Sequence, residues 1–109
     1  MNSYRTDENP AGGHESITVA TTSIGFTATT ITVAQAGGWR KRATRAFCTV
    51  ETAQISVTFD GTTPSSTVGH VADAGDTFTI VGEQNVENFR AIRTTATSGN
   101  IRVTFYFNR

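Results

Sequence analysis

Hydrophobic and polar residues alternate with a period close to two along most of the chain. The alternation is clearest at Ile55–Phe59, Phe78–Ile80 and Ile101–Phe107. Successive side chains of a β-strand point to opposite faces of a sheet, so this period predicts strands with one buried and one solvated face. Such strands favour antiparallel pairing. Weaker alternations lie at 17–19, 24–26, 31–33, 45–50, 68–71 and 89–93.

Short breaks rich in glycine, aspartate or serine separate these segments. Gln35–Gly38, Asp60-Gly61, Asp73–Asp76 and Ser98–Asn100 are typical of turns, because these residues adopt turn conformations at little cost. Turn signals at intervals of roughly 8–12 residues are typical of a sandwich or small barrel. We therefore expect an all-β fold, a single antiparallel β-sandwich of jelly-roll type with about eight short strands. The order of the strands is left open.

The amino-acid composition strengthens the prediction of an all-β fold. The chain has no leucine, but it has 21 threonines, 9 valines and 7 isoleucines. β-Branched residues pack well on a pleated sheet, whereas helices favour leucine and alanine. A chain of 109 residues is the size of one domain with one core.

Charge and cysteine content narrow the function classes. Nine basic residues balance nine acidic ones, so no net field draws the protein to nucleic acid or to a membrane. Eight of the nine basic residues are arginine, which is favoured at protein interfaces. Cys48 is the only cysteine, so no intrachain disulfide is possible. With no apolar run near the roughly 20 residues of a spanning helix, we expect a soluble protein made in the cytoplasm of its host.

Residues 1–14 differ from the rest of the chain, because they are polar and show no periodicity. Two interpretations stay open: a frayed terminus, or an extended arm that orders only against a neighbouring subunit. In the second case Tyr4 and Arg5 would be its anchors. We therefore divide the chain into an arm at 1–14 and a β-sandwich domain at 15–109.

No pattern of catalytic or metal-binding residues is visible. Cys48 alternates with Ala46 and Val50 on an apolar face, where a cysteine is normally an inert small hydrophobe. Asp73 and Asp76 flank Gly75, and their expected role is to bond their own turn backbone rather than calcium. We expect no enzymatic activity, no metal and no cofactor.

One basic cluster directly follows Trp39. It consists of Arg40, Lys41, Arg42 and Arg45. The cluster fits a solvated loop or a docking surface for an acidic neighbour, in which arginine and tryptophan commonly act as anchors. Binding to single-stranded nucleic acid, with a base stacked on the aromatic ring, is a weaker alternative.

Three further side chains are candidates for contact with another protein. Arg90 and Arg93 lie on opposite faces of one predicted strand, so one of them must point inward or reach past an edge. That arrangement suggests a buried carboxylate partner or a subunit interface. Tyr106, beside Arg102 on the polar face of the last strand, fits either a partner contact or an ordinary outer face.

The part of the chain from about Ala46 to Phe107 resembles small virion-associated proteins of tailed bacteriophages. The resemblance depends on five short motifs, mainly turns and strand segments. They are Val50-Glu51-Thr52-Ala53, Thr58–Pro64, Val68-Gly69-His70, Ala74-Gly75-Asp76 and Asn88–Arg93. Residues 1–44 have no part in it.

The resemblance implies a structural role in the virion, with no catalytic residues. We expect a capsid decoration or cement protein that binds the major capsid protein or other virion proteins. A homo-oligomer, with a trimer at a local threefold axis favoured, would suit that position. The alternatives are a neck or tail component, or a host-recognition module that binds glycans through Trp39 and Tyr106.

Overall fold

A computed structural model describes residues 11–34 and 40–107 as a two-sheet β protein. Within those residues there are eight strands and two short helices. The strands are β1 Ala11–Val19, β2 Thr32–Ala34, β3 Arg40–Glu51, β4 Ile55–Thr58, β5 His70–Ala72, β6 Thr77–Val81, β7 Arg90–Arg93 and β8 Gly99–Phe107. The helices are α1 Ala28–Ile31 and α2 Glu83–Asn88.

The strands form two antiparallel sheets. In the large sheet β1 pairs with β8 and β8 with β3. On the side of β3 opposite β8, two strands pair with different parts of it: β2 with residues 40–42 and β6 with residues 45–49. The small sheet has the order β5-β4-β7. The prediction of an all-β protein with antiparallel pairing is therefore confirmed.

One hydrophobic core contains side chains from both sheets. Alternate residues of β8 (Ile101, Val103, Phe105) and the whole of β4 are buried. Phe89, from the loop before β7, is also fully buried, and its ring stacks on Phe26 with the centroids 4.5 Å apart. The faces that the alternation predicted for β3 and β8 are confirmed.

The strand begins earlier than the predicted arm boundary at residue 14. Residues 11–14 lie in β1, paired with β8, and residues 1–10 lie outside the described residues. Gly12 lets β1 lie close against the buried ring of Phe107, because a Cβ at this position would lie only 2.7 Å from that ring. A glycine in this segment therefore marks close packing rather than a loop.

Other sequence predictions need local correction. The segment 24–26 makes one isolated bridge, Ile24 to Ala91, instead of a strand. The chain from Glu83 to Asn88 is a helix that the alternation did not indicate. The predicted turn at 98–100 is shorter, because β8 already begins at Gly99.

Candidate interaction surface

The large sheet presents one side to the core and the other away from it. On the side away from the core, alternate residues of β8 and β3 form the middle of the surface, and residues of β1 and β6 lie on either side of them. We call this surface the outer face. Its members include His14, Ser16, Arg45, Phe47, Thr49, Glu51, Thr77, Thr79, Val81, Arg102, Thr104 and Tyr106.

Two large apolar side chains are exposed on the outer face. Phe47, near the middle of β3, is 43% exposed, and Val81, at the end of β6, is 64% exposed. Phe47 lies between its cross-strand neighbours Thr104 and Thr79. An aromatic side chain left half open on a sheet is the kind of group that anchors protein interfaces or stacks on a ligand.

Arg45 and Tyr106 are held together beside this apolar pair. They are cross-strand partners in β3 and β8, and the guanidinium carbon of Arg45 lies 5.1 Å from the centre of the Tyr106 ring. The pairing register shifts between Ala43 and Arg45, which is the irregularity expected at a β-bulge. The cation–π contact restricts both side chains, so less conformational entropy is lost if a partner binds them.

A second arginine is fixed at the other end of the outer face. Nε of Arg102 donates to Oε1 of Glu51 at 3.0 Å. The pair is largely exposed, so it contributes only about 0–1 kcal/mol to stability. Between this pair and Phe47 lies a shallow depression. Its other lining residues include His14, Ser16, Thr49 and Thr104.

The basic cluster does not act as one charged patch. Oε2 of Glu87, in α2, accepts from Nη1 of Arg42 at 2.9 Å. Arg45 contacts Tyr106 instead. Lys41 is half-buried. The two arginines are thus engaged by different elements, which weakens the support for a phosphate-binding stripe.

Four other interface candidates from the sequence have no described side chain. Tyr4, Arg5 and Trp39 lie outside the described residues, as does the side chain of Arg40.

Of the two alternatives for Arg90 and Arg93, a buried carboxylate partner is not found among the described residues, and a subunit interface stays a prediction. Nη1 of Arg90 donates to the carbonyl oxygens of Glu87 at 3.1 Å and Phe89 at 2.6 Å. Arg93 donates to Oγ of Ser98 at 3.4 Å. Both side chains are half-buried. The chain satisfies these cations with backbone and hydroxyl oxygens, which the spacing of charges along the sequence does not reveal.

The side chains with possible chemistry are placed in structural roles. Cys48 is fully buried, and burial raises the pKa of its thiol to about 12, so the nucleophilic thiolate is not formed near neutral pH. Oδ2 of Asp76 accepts from the backbone N–H of Asp73 at 2.8 Å, which confirms the predicted turn bond for Asp76. Oδ1 of Asp73 instead accepts from Nε2 of Gln54 at 2.7 Å, outside the turn.

Neither a metal site nor a membrane-spanning helix is found in the described part of the chain. Within residues 11–34 and 40–107, no three His, Cys, Asp or Glu side chains lie close enough together to hold a metal ion. Over the same residues, no helix is long and apolar enough to cross a membrane.

Sequence reasoning missed the centre of the outer face. Phe47 and Val81 were not among the interface candidates, although Phe47 alternates with Arg45 and Thr49. A large aromatic residue on the polar side of a strand was the available signal. Val81 gave the same signal, because it alternates with Phe78 and Ile80 and so falls on the polar side of its strand with Thr77 and Thr79.

Comparison with known proteins gives no relative for this surface. No protein-family model matches the chain, and no similar curated protein or solved structure was found. The interpretation of the outer face therefore depends on its own chemistry.

Proposed function

We propose that the protein is a structural component of a tailed-bacteriophage particle, a capsid decoration protein that docks on the head shell through its outer face. The observation that supports this most is the pairing of exposed apolar side chains with arginines that are already held in place. Phe47 and Val81 supply apolar area, and Arg45 and Arg102 supply fixed donors. Aromatic and arginine side chains are the commonest anchors of protein interfaces.

The fold that we propose for this role is a jelly-roll-like antiparallel β-sandwich. Support comes from the single core, to which both antiparallel sheets contribute. A sandwich leaves one face of each sheet for external contacts. The outer face of the large sheet is then available for the major capsid protein or another virion protein. Many copies bound at once would stabilise the shell by avidity.

A matched pair of variants tests the docking surface. Val81→Asp places a charge on the outer face, and Val71→Asp places one on β5 of the small sheet, where Val71 is similarly exposed at 58%. We expect wild type and Val71→Asp to co-sediment with purified phage heads stripped of this protein. Val81→Asp should bind at least about tenfold more weakly, since a desolvated charge at an interface costs more than 1.4 kcal/mol.

Three results would contradict this docking model. They are no binding of the wild type, equal loss in both variants, and loss in Val71→Asp alone. Melting temperatures of both variants show whether either change unfolds the protein. Gold-labelled antibody on intact particles locates the protein: label over the head supports decoration, whereas label at the neck or tail supports the alternative position in the particle.

The depression beside Phe47 favours a second candidate, a glycan-binding module for host recognition. A pyranose ring has an apolar C–H face that stacks on an aromatic ring, and hydroxyl edges that bond to polar side chains. Phe47 offers the ring, while Ser16, Thr49 and Arg102 offer polar groups around it. This site replaces Tyr106 as the stacking platform, since Arg45 covers that ring.

Calorimetric titration with oligosaccharides from the host surface tests this second candidate. Saturable heat that is lost in Phe47→Ala and retained in Val71→Asp would support it. Absence of heat with every host oligosaccharide, while head binding persists, leaves decoration as the role.

A further inference from the structure

Strand β6 forms an edge of the large sheet. Its residues Thr77–Val81 pair on one side with Arg45–Thr49 of β3. No strand of the described residues pairs with its other side. Thr77, Thr79 and Val81 are exposed.

Two flanking hydrogen bonds show which backbone groups of β6 point away from β3. The N–H of Val50 donates to the carbonyl of Asp76 at 2.8 Å, and the N–H of Gly82 donates to the carbonyl of Thr44 at 2.7 Å. In an antiparallel ladder, alternate residues bond to the same neighbour. Positions 76, 78, 80 and 82 therefore face β3. The N–H and C=O groups of the odd-numbered residues point outward.

The outward groups remain largely available among the described residues. The carbonyl of Val81 accepts from Nδ2 of Asn85 at 2.8 Å. That carbonyl has a second lone pair, and no bond is found to the outward groups of Thr77 and Thr79. The edge therefore presents several peptide groups in register for another strand.

The sequence of β6 has none of the features that normally protect an edge. Natural edge strands carry lysine, proline, bulges or inward charges that prevent pairing with other chains. Here the strand reads Thr-Phe-Thr-Ile-Val, which is uncharged, regular and rich in residues that favour strands. Such an edge is a ready template for pairing with another strand.

We propose that β6 of a second copy covers this edge, in an antiparallel pair related by a two-fold axis near Thr79. The strand is self-complementary: Thr77 of each copy would face Val81 of the other, and no like charges would meet. The two large sheets then join into one, with Val81 of each copy beside Thr77 of the other and its side chain still on the outer face. This pairing gives a dimer in place of the expected trimer, since an edge used in this way closes after two copies.

The inference does not rest on the role in the phage particle. It follows from the backbone and the sequence of β6, so it holds for a glycan-binding module as well.

Sedimentation equilibrium of the purified full chain tests the dimer, with Thr79→Pro as the main variant. Proline removes an outward N–H and leaves the bonds to β3 in place. Because each copy loses one bond across the two-fold axis, we expect the dimer dissociation constant to rise about tenfold or more. Thr79→Val is the matched control, because it keeps the N–H and the branched side chain, and it should dimerise like the wild type.

A second variant and a second measurement cover the case in which Thr79→Pro does not fold. Thr77→Pro places the proline at the first residue of the strand, where it is best tolerated. Amide hydrogen exchange at Thr77 and Thr79 in the wild type should slow as protein concentration rises. A wild type that stays monomeric at all concentrations, or proline variants with unchanged dissociation, would overturn the proposal.

The outcome can be separated from that of head binding. A monomer that binds phage heads would overturn the dimer alone. A dimer that does not bind heads would overturn the decoration role alone.

Discussion

Strands β7 and β6 are both edges of their sheets, but the protein treats them differently. The outer side of β7 is covered by its own chain, since Ile24 and Ala91 exchange two backbone hydrogen bonds of 3.0 and 2.8 Å. The N–H of Arg93 also donates to the carbonyl of Ala20 at 2.9 Å. No comparable segment covers β6 within the described residues.

The covering segment is held by close packing. The ring of Phe26 stacks on Phe89, and Gly25 lies against the carbonyl of Phe89 and the guanidinium of Arg90. An irregular segment thus covers the β7 edge of the small sheet, whose other edge is β5. The comparison shows that an irregular segment of the same chain covers β7, whereas β6 has no such cover among the described residues.

Removal of the Phe89 ring should have the largest effect on the covered edge. Phe89→Ala is expected to lower the free energy of unfolding by about 3–5 kcal/mol, because a fully buried aromatic side chain is lost and its cavity remains. Denaturant unfolding measures the change. Phe47→Ala, on the outer face, is the control and should cost much less. Equal losses would mean that the covering segment does not depend on this stack.

Proline at the two edges compares them directly. Ala91→Pro removes the N–H that donates to Ile24 and should cost about 3 kcal/mol or more. Thr79→Pro should lower the free energy of unfolding of the monomer by less than about 1 kcal/mol, because the N–H that it removes points outward and makes no bond within the chain. Thermal unfolding at low protein concentration measures both. Similar costs would show that β6 is covered in the monomer too.

A methyl group at Gly25 should disturb the cover with a smaller effect. A Cβ there would lie 2.5 Å from Nη1 of Arg90 and 2.7 Å from the carbonyl oxygen of Phe89. Gly25→Ala should therefore lower the free energy of unfolding by about 1–3 kcal/mol. In Gly13→Ala the new Cβ meets neighbours no closer than 3.7 Å, so that variant should stay near wild type. Equal stability of the two variants would show that the chain around Gly25 is not closely packed against Phe89 and Arg90.

The smallest expected effect is a pH dependence in the turn after β4. The backbone N–H of Thr62 donates to Oδ1 of Asp60 at 3.0 Å and lowers the pKa of this exposed carboxyl below its ordinary value of 3.8. The folded pKa is depressed, so the carboxylate stabilises the fold above pH 3.8, and this contribution is lost as pH falls through the lowered pKa. Asp60→Asn should therefore lose slightly less stability than wild type on acidification. Identical acid-unfolding curves would show that the Asp60 carboxylate contributes nothing to the pH dependence of stability.

Strands with strict alternation were predictable, and irregular elements were not. β6 and β8 follow a period of two because one of their faces packs on the core. β4 alternates in sequence as well, but the prediction of a solvated face was wrong there, because Ser56 and Thr58 are also buried. Helix α2 has six residues, and no side chain caps its N-terminus at Gly82, so no local signal separates it from a loop. The cover at 20–24 depends on contacts far along the chain.

The candidate site was only partly predictable for a related reason. The polar side of β3 and β8 was visible in the alternation, and it placed Arg45 and Tyr106 on outward faces. Their contact was not predictable, since it depends on the register between two strands about 60 residues apart in the chain. The partner of Arg42 likewise lies on a helix that the sequence did not indicate.

The buried thiol of Cys48 can report how often the core of the protein opens. Cys48 lies on the inner side of β3 with no exposed surface. A thiol-specific dye therefore reports only on openings that separate β3 from the core. Measured against dye concentration, the labelling rate gives the equilibrium of that opening in native buffer. A bound ligand, a second copy of the chain or a phage head should each slow the labelling of Cys48, and the tighter the binding to the folded state, the slower the labelling.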